Sequence, residues 1–458
     1  MKKHPLSVSA LLCATTILFS ASAAFADGAG VTTPEKKAPA AKAKTAKAKT
    51  ATAKNAKAKP AATKEAAAAP AETKTAFTKA LTEGKVLFDA RYRYEYVDQK
   101  GLSNNADAHT VRTRLGYETG KFHDVSVLME VENIAALGDD NYNDTINGKT
   151  TYPVVADPAD TNVNRLQVNY TGIPDTAVIL GRQTINLDNQ RFVGSVGWRQ
   201  NDQTFDAVSI KNQSLKDTTL FYAFSDKVNR IFGTDSSVGT WDNTHIHLMN
   251  ASYTGLPFGK ITGYSYLLEI PDSRALSSAN YGARFEGKHA LAENIAGLLN
   301  LEYTHQSDYA NNPNNLDFNY YSVEPGITFG QWTVKGQYES IEGDGVNSMQ
   351  FPLATLHAFD GWADKFLTTP ANGLVDMNIG VTYVAKSENK CLDGAKAQIV
   401  YHDFSAERGS VDYGTEWDAL AEQTFEKHYT AGIKLARYNA DGLFTDTVKI
   451  MPYVQVKF

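Results

Sequence analysis

Charged side chains recur at every second position in several short stretches of this 458-residue chain. Asp89, Arg91, Arg93 and Glu95 form one such row, Arg112, Arg114 and Glu118 a second, and Glu130 with Glu132 a third. Arg165 and Gln167 continue the pattern. In an extended segment this spacing puts the side chains on one face. Guanidinium and carboxylate groups on one face have two uses. They can pair and hold a wall together, or they can set a field across a wet path for a charged or hydroxylated solute. The two uses overlap, and the rows leave both open.

The densest run of such groups lies between residues 181 and 206. It reads Gly181-Arg182-Gln183, then Arg191-Phe192-Val193-Gly194, Gly197-Trp198-Arg199-Gln200 and Thr204-Phe205-Asp206. A run with three arginines, three aromatics and several glycines can fold inward and form a constriction that binds anionic or hydroxylated solutes. The alternative is a loop packed on its own scaffold for rigidity. The candidate pore-lining set is therefore Arg91, Arg93, Arg112, Arg114, Arg165, Arg182, Arg191, Trp198 and Arg199. Glu130 and Asp206 would supply the opposing charge.

Other chemistries find little support. His245 and His247 share a strand face but have no third ligand nearby, so they read as structural. Asp139, Asn141 and Asn143 have calcium-loop spacing, yet Asp144 stands where the turn glycine belongs and Thr150 where a closing glutamate belongs. There is no Gly-x-Ser-x-Gly elbow, phosphate loop or dinucleotide fingerprint. No enzyme activity, cofactor or metal is expected.

The elements that would position the charged rows are short amphipathic strands. From Val86 onward, segments of about ten residues alternate apolar and polar side chains. Val86, Phe88, Ala90, Tyr92, Tyr94 and Tyr96 oppose the Asp89–Glu95 row, and Val111, Thr113, Leu115 and Tyr117 oppose Arg112 and Arg114. Eighteen such segments can be traced to Phe458. The one near Val411–Thr424 is the least regular, because 418–425 also suits a helix. Links between segments alternate long and short, with an intermediate one at 387–394. That alternation is expected of a transmembrane antiparallel β-barrel of about 18 strands, with short periplasmic turns and long outer loops. A soluble sandwich has no reason for it. The last segment, Thr447–Phe458, should pair with the first and close the barrel. Lys449, Tyr453 and Gln455 would face the lumen. Pro452 has no N–H to donate, so a local bulge or weak point is expected there.

The N-terminus gives an address. Residues 1–26 form a signal peptide, with Lys2 and Lys3, an apolar run from Leu11 to Phe19 and Ala24-Phe25-Ala26 as the cleavage site. Residues 27–84 are a basic Ala/Lys/Pro-rich tail, expected to be disordered in the periplasm except for a short helix over Glu72–Glu83. Residues 85–458 are the barrel. With Cys13 in the leader, the mature chain keeps only Cys391 and cannot form an internal disulfide. The body from Val86 carries 45 − 15 = 30 basic and 51 − 5 = 46 acidic residues, a balance of −16. Nucleic acid is not an expected partner of so acidic a body. Expected partners are outer-membrane lipid, a polar or saccharide solute, and an anionic cell-wall polymer for the tail.

Several stretches resemble the alginate-export family of outer-membrane barrels. They are the 181–206 run, His357-Ala358-Phe359-Asp360-Gly361-Trp362-Ala363-Asp364-Lys365-Phe366 with Thr369 to Asp376, and Gly414-Thr415-Glu416-Trp417-Asp418 with Tyr429 and Ala431 to Tyr438. The resemblance implies an eighteen-stranded monomer that passes a polysaccharide through an arginine-lined pore. It also implies that the terminal Phe458 is similar to the signal read by barrel-assembly machinery. The chain departs from an alginate exporter in its acidity, since a polyanion favours a basic lumen. The expected function is an outer-membrane channel for passive diffusion or export of a polar solute, a saccharide or acidic saccharide. A general small-solute porin and a structural barrel tethered by its tail are the alternatives.

Overall fold

The computed structural model describes residues 71–458. The expected leader and most of the expected basic tail lie outside the described residues. Helix α1 (Ala71–Thr82) is followed by β1 (Lys85–Gln99), β2 (Ala106–Glu118), β3 (Val125–Ala136), β4 (Asp160–Tyr170), β5 (Thr176–Gln183) and β6 (Thr204–Asn212). Then come β7 (Thr218–Asn229), β8 (Thr240–Leu256), β9 (Gly259–Glu269), β10 (Ser278–Ala292), β11 (Ile295–Asp308) and β12 (Asp317–Phe329). The last six are β13 (Trp332–Ile341), β14 (Leu374–Val384), β15 (Lys396–Ser405), β16 (Asp412–Phe425), β17 (Tyr429–Ala440) and β18 (Thr447–Lys457). Each strand pairs antiparallel with its neighbours in sequence, and β1 pairs with both β2 and β18, so the sheet closes into an 18-stranded barrel.

The alternation of side chains becomes an inside and an outside. Along β1, Asp89, Arg91, Arg93 and Glu95 are buried while the residues between them are half-buried. Outside, Leu115, Met129, Leu180 and Ile379 stand among the exposed apolar side chains, as a lipid-facing band requires. Aromatic pairs on the same surface include Trp332–Tyr383 at 4.7 Å and Tyr401–Trp417 at 4.9 Å between centroids. Residues 418–425 continue β16 as strand, so sheet pairing overrides their local helical bias.

Closure carries the expected weak point at Pro452. The β1–β18 register is continuous from Asp89↔Lys457 to Gln99↔Thr447, with no inserted residue at Pro452. The ladder instead skips two pairs, Tyr94 and Glu95 opposite Pro452 and Met451. Proline's missing N–H is accommodated by a gap in pairing rather than by a bulge. Beyond the gap the terminal residue resumes pairing. Phe458 N donates to Phe88 O at 2.8 Å and Phe88 N to Phe458 O at 3.2 Å. The Phe458 ring stacks on His428 at 4.7 Å.

Links alternate in length as the strand pattern implies. The turns 257–258, 293–294 and 330–331 have two residues each, whereas 137–159, 184–203 and 342–373 are long. The link 385–395 is the longest at the short-link end. Helix α1 sits at that same end. Ala80 O accepts from Gly120 N at 2.8 Å, Leu81 O accepts from Tyr117 Oη at 2.8 Å, and the Phe77 ring meets Phe122 edge-on at 5.3 Å.

The long links 184–203 and 342–373 fold into the barrel and pack on each other. Val193 and Leu353 form a parallel bridge, Gly194 N donates to Leu353 O at 2.8 Å, and Thr355 N donates to Gln190 O at 3.0 Å. Only glycine fits at 194, because a Cβ would lie 2.2 Å from Thr355 Oγ1. Phe192 sits among Tyr264, Tyr320 and Phe351 at 5.2–5.7 Å. Burying such a ring contributes about 1.5–3 kcal/mol. Phe366 makes a second aromatic anchor against Phe404, at 4.5 Å. The chain therefore has a packed core inside its barrel, built by links rather than by strands.

Candidate functional site

The inserted links meet the wall formed by β1, β2 and β16 to β18. Arg91 and Arg93 point inward from β1 and reach the 197–200 backbone. Arg91 donates to Gly197 O at 2.8 Å, Trp198 O at 2.9 Å and Gln200 Oε1 at 3.1 Å, and also to Arg199 O. Its charge is spent on three successive carbonyls of one link. Arg93 donates to Trp198 O and to Asp157, which the 137–159 link brings in, and lies over the Trp198 ring at 4.6 Å.

Arg199 joins this group from the opposite direction. It pairs with Glu95 at 3.2 Å and Asp364 at 2.8 Å. Lys449 of β18 reaches Asp364 at 2.6 Å and Glu95 at 3.5 Å. Arg93, Arg199 and Lys449 thus face Glu95, Asp157 and Asp364, three cations against three anions, all buried. Such charges are tolerable only because each has a partner.

Trp198 closes the cluster. It stacks on His357 at 4.7 Å with 7° between planes, and Lys434 Nζ lies 4.1 Å over its ring and 4.4 Å over Trp362. His357 Nδ1 is 2.7 Å from Asp364 Oδ1, and Nε2 is 3.2 Å from Lys434 Nζ. The ammonium has no lone pair, so Nε2 must accept and Nδ1–H must donate. Burial and the Lys434 cation push the His357 pKa down to about 3, against the pull of Asp364. The imidazole is neutral at pH 7.

The remaining residues of the inward rows fall into two groups. Arg191 is fully buried between Glu339 and Asp360, at 2.9 Å from each, and over Phe351 at 4.1 Å. Arg112 pairs with Asp89 at 2.7 Å, and Arg114 with Asp202 at 2.8 Å and with Glu132. Arg112 and Arg114 belong to the packed side, whereas Arg191 packs against β13. Arg165–Glu130 and Arg182–Asp206, both at 2.7 Å, belong to another stretch of wall. There the Arg165, Arg182 and Asp206 side chains retain 26%, 26% and 30% of their exposure, whereas Glu130 is buried. Lys260–Glu286 at 2.5 Å and Lys335–Glu324 at 2.7 Å are likewise half-exposed on β9 to β13, whereas Arg284–Glu302 at 2.6 Å on β10 and β11 is buried.

The structure therefore brings Arg91, Arg93, Trp198 and Arg199 together, and sets Arg165, Arg182, Glu130 and Asp206 apart from them. Arg191 sits in a third place, and Phe458 lies at the closing seam. Reading the sequence missed Asp157, His357, Asp364, Lys434 and the partnering role of Lys449. The alternation rule could not find the first three, because they lie in links. The glycine at 361, with φ +83, was the one available signal. A Cβ there would lie 2.6 Å from the Glu416 carboxylate, which accepts from Ala363 N at 2.7 Å.

Comparison with known proteins follows the architecture. A family model described as alginate export matches residues 84–323, just over half of the chain. The matched range includes the 181–206 run and stops before 357–376 and 414–438. No curated protein matches. Among solved structures, Acinetobacter baumannii OccAB4 is similar at 16% identity and TM-score 0.65, over 82% of this chain and 98% of its own. Pseudomonas aeruginosa OpdO is similar at 14% identity and TM-score 0.63, over 83% and 99%. Pseudomonas aeruginosa OpdK, solved with vanillate, is similar at 14% identity and TM-score 0.65, over 82% and 99%. At these identities the likeness establishes a shared barrel fold.

Proposed function

We propose, from the premise that the chain belongs to the alginate-export family, that this outer-membrane channel passes a small acidic or hydroxylated solute of saccharide size. The observation that carries the reading is the unequal lumen. Part of the wall is covered by links that engage Arg91, Arg93 and Arg199, and another part carries half-exposed pairs such as Arg182–Asp206, Lys260–Glu286 and Lys335–Glu324. Opposite charges bordering water orient a polar solute without trapping it, which is what a passive path needs. The inserted links narrow the barrel, which favours a mono- or oligosaccharide over an unrestricted polymer path.

A small-carboxylate porin is the second reading, and OpdK's solved complex with vanillate, a carboxylate, favours it. Planar-bilayer recording on the folded full chain separates the two. Block of the current by glucuronate and oligouronate, with little effect of benzoate-type acids, supports the saccharide reading. Block by aromatic acids alone supports the second, and indifference to both removes solute selectivity altogether. We also place the basic tail, residues 27–84, in the periplasm, since α1 docks on the 119–124 turn at the short-link end. Anchorage to an anionic cell-wall polymer fits that placement and is tested by pulldown with residues 27–75.

A further inference from the structure

The end of the barrel opposite α1 carries a recess, outside the lumen sites described above. It has a volume of about 450 Å³ and is walled by the links 230–239, 270–277, 309–316 and 342–373, with Trp241 at the start of β8. That volume suits a mono- to disaccharide-sized ligand. One cation, Arg230, lines it, and no aspartate or glutamate does. In a body with a balance of −16 such a patch is unusual.

Arg230 is held differently from the lumen arginines. Its guanidinium lies over the Trp241 ring at 4.1 Å and the Phe232 ring at 4.7 Å, and Nη1 donates to Val238 O at 3.1 Å. Among the described residues it makes no ion pair. The aromatic faces fix the plane of the fork and leave its other N–H groups without a protein acceptor. Around it, the side-chain amides of Asn314 and Asn347 and the Thr368 hydroxyl make no hydrogen bond among the described residues. The floor is apolar, with Leu316 and Phe351. A fixed guanidinium, free amide and hydroxyl groups and an apolar floor match a ligand with one carboxylate, several hydroxyls and a C–H face.

We infer that this recess is a binding subsite for a hydroxylated monocarboxylate of sugar-acid type, with Arg230 as its carboxylate anchor. The inference deepens the saccharide reading of the channel and rests on it for the class of ligand. Its position on the long-link side makes it a vestibule that a solute meets before or after the lumen. The 342–373 link forms part of its wall and also plugs the barrel, so one segment borders both places.

Ligand-observed NMR titration of the detergent-folded full chain with glucuronate, with glucose as the neutral counterpart, tests it. Glucuronate should bind, and glucose should bind at least tenfold more weakly. R230Q should lose about tenfold in glucuronate affinity and leave glucose unchanged, with R230K recovering part of the loss. N347D, at the recess wall, should weaken glucuronate in the same direction by repulsion and serves if R230Q fails to fold. Equal glucuronate affinity in wild type, R230Q and N347D overturns the subsite, as does equal affinity for glucose. Glucuronate binding and bilayer block that both survive unchanged in R230Q overturn it, while leaving the channel reading intact. Binding lost in R230Q, with no glucuronate effect on the current, sustains the subsite and sinks the channel reading.

Discussion

The barrel treats its inward charges in two ways, and the contrast explains what each wall is for. On the β1, β2 and β16–β18 side, Arg93, Arg199, Lys449, Glu95, Asp157 and Asp364 are buried and interlocked by links from elsewhere in the chain. Elsewhere, Arg182–Asp206, Lys260–Glu286 and Lys335–Glu324 pair across neighbouring strands and stay partly wet. The same residue types at the same spacing are thus interlocked in one place and left partly exposed in the other. What differs is whether a link has displaced the water. A buried pair whose partner is removed leaves a charge in a poor solvent, at a cost of about 3–5 kcal/mol. An exposed pair is worth about 0–1 kcal/mol and is screened by salt.

Breaking the interlocked cluster should give the largest effect. Asp364→Ala strips a partner from Arg199, Lys449 and His357 at once. It should destabilise the seated 342–373 link by about 3–5 kcal/mol and raise single-channel conductance with frequent gating. A variant as quiet and as thermally stable as wild type would show that the network does not hold the link. Arg191→Met should act next. It leaves Glu339 and Asp360 facing each other without their cation, and an apolar volume repays part of the loss. The thermal midpoint should fall, and adding E339Q and D360N should restore part of it.

A pH titration sharpens the comparison further. The folded pKa of His357 lies near 3, below the ordinary value of 6.5. Its contribution is therefore fully present above about pH 6.5 and is lost as pH falls toward 3. Gating noise should rise across that window in wild type and change less in H357N. A flat response in wild type would mean that His357 does not report on the seat. The smallest effect belongs to the wet wall. Arg182→Gln should leave thermal stability within about 1 kcal/mol and shift the reversal potential toward cations by a few millivolts, most clearly at low salt. A loss of stability as large as that of the Asp364 variant would erase the distinction between the two walls.

Much of the barrel could be read directly, and little of the interlocked cluster. Arg91 and Arg93 announce their inward face by spacing, because a strand's side chains alternate whatever they later touch. Their partners do not announce themselves. Arg91 ends on the carbonyls of 197–199, and nothing in an arginine's type says that it will bind backbone rather than solute. The 181–206 run suggested inward folding, and residues 184–203 do fold in. Arg191 and Arg199 within it are buried in ion pairs, whereas Arg182, on the strand leading in, stays partly wet. The Pro452 position illustrates the same boundary. Its missing N–H guarantees a defect in the ladder, and only the closed sheet decides between a bulge and a gap.

The sequence by itself determined the number of strands, their inside and outside faces and their order around the barrel. These follow from local alternation and link length, which neighbouring residues encode. Only the tertiary structure decided which arginines are spent and which face water. That choice depends on links returning to walls far away in sequence, as when Arg199 meets Asp364 across 165 residues. A link's path is set by what it packs against, so the fate of each inward charge is a property of the closed barrel.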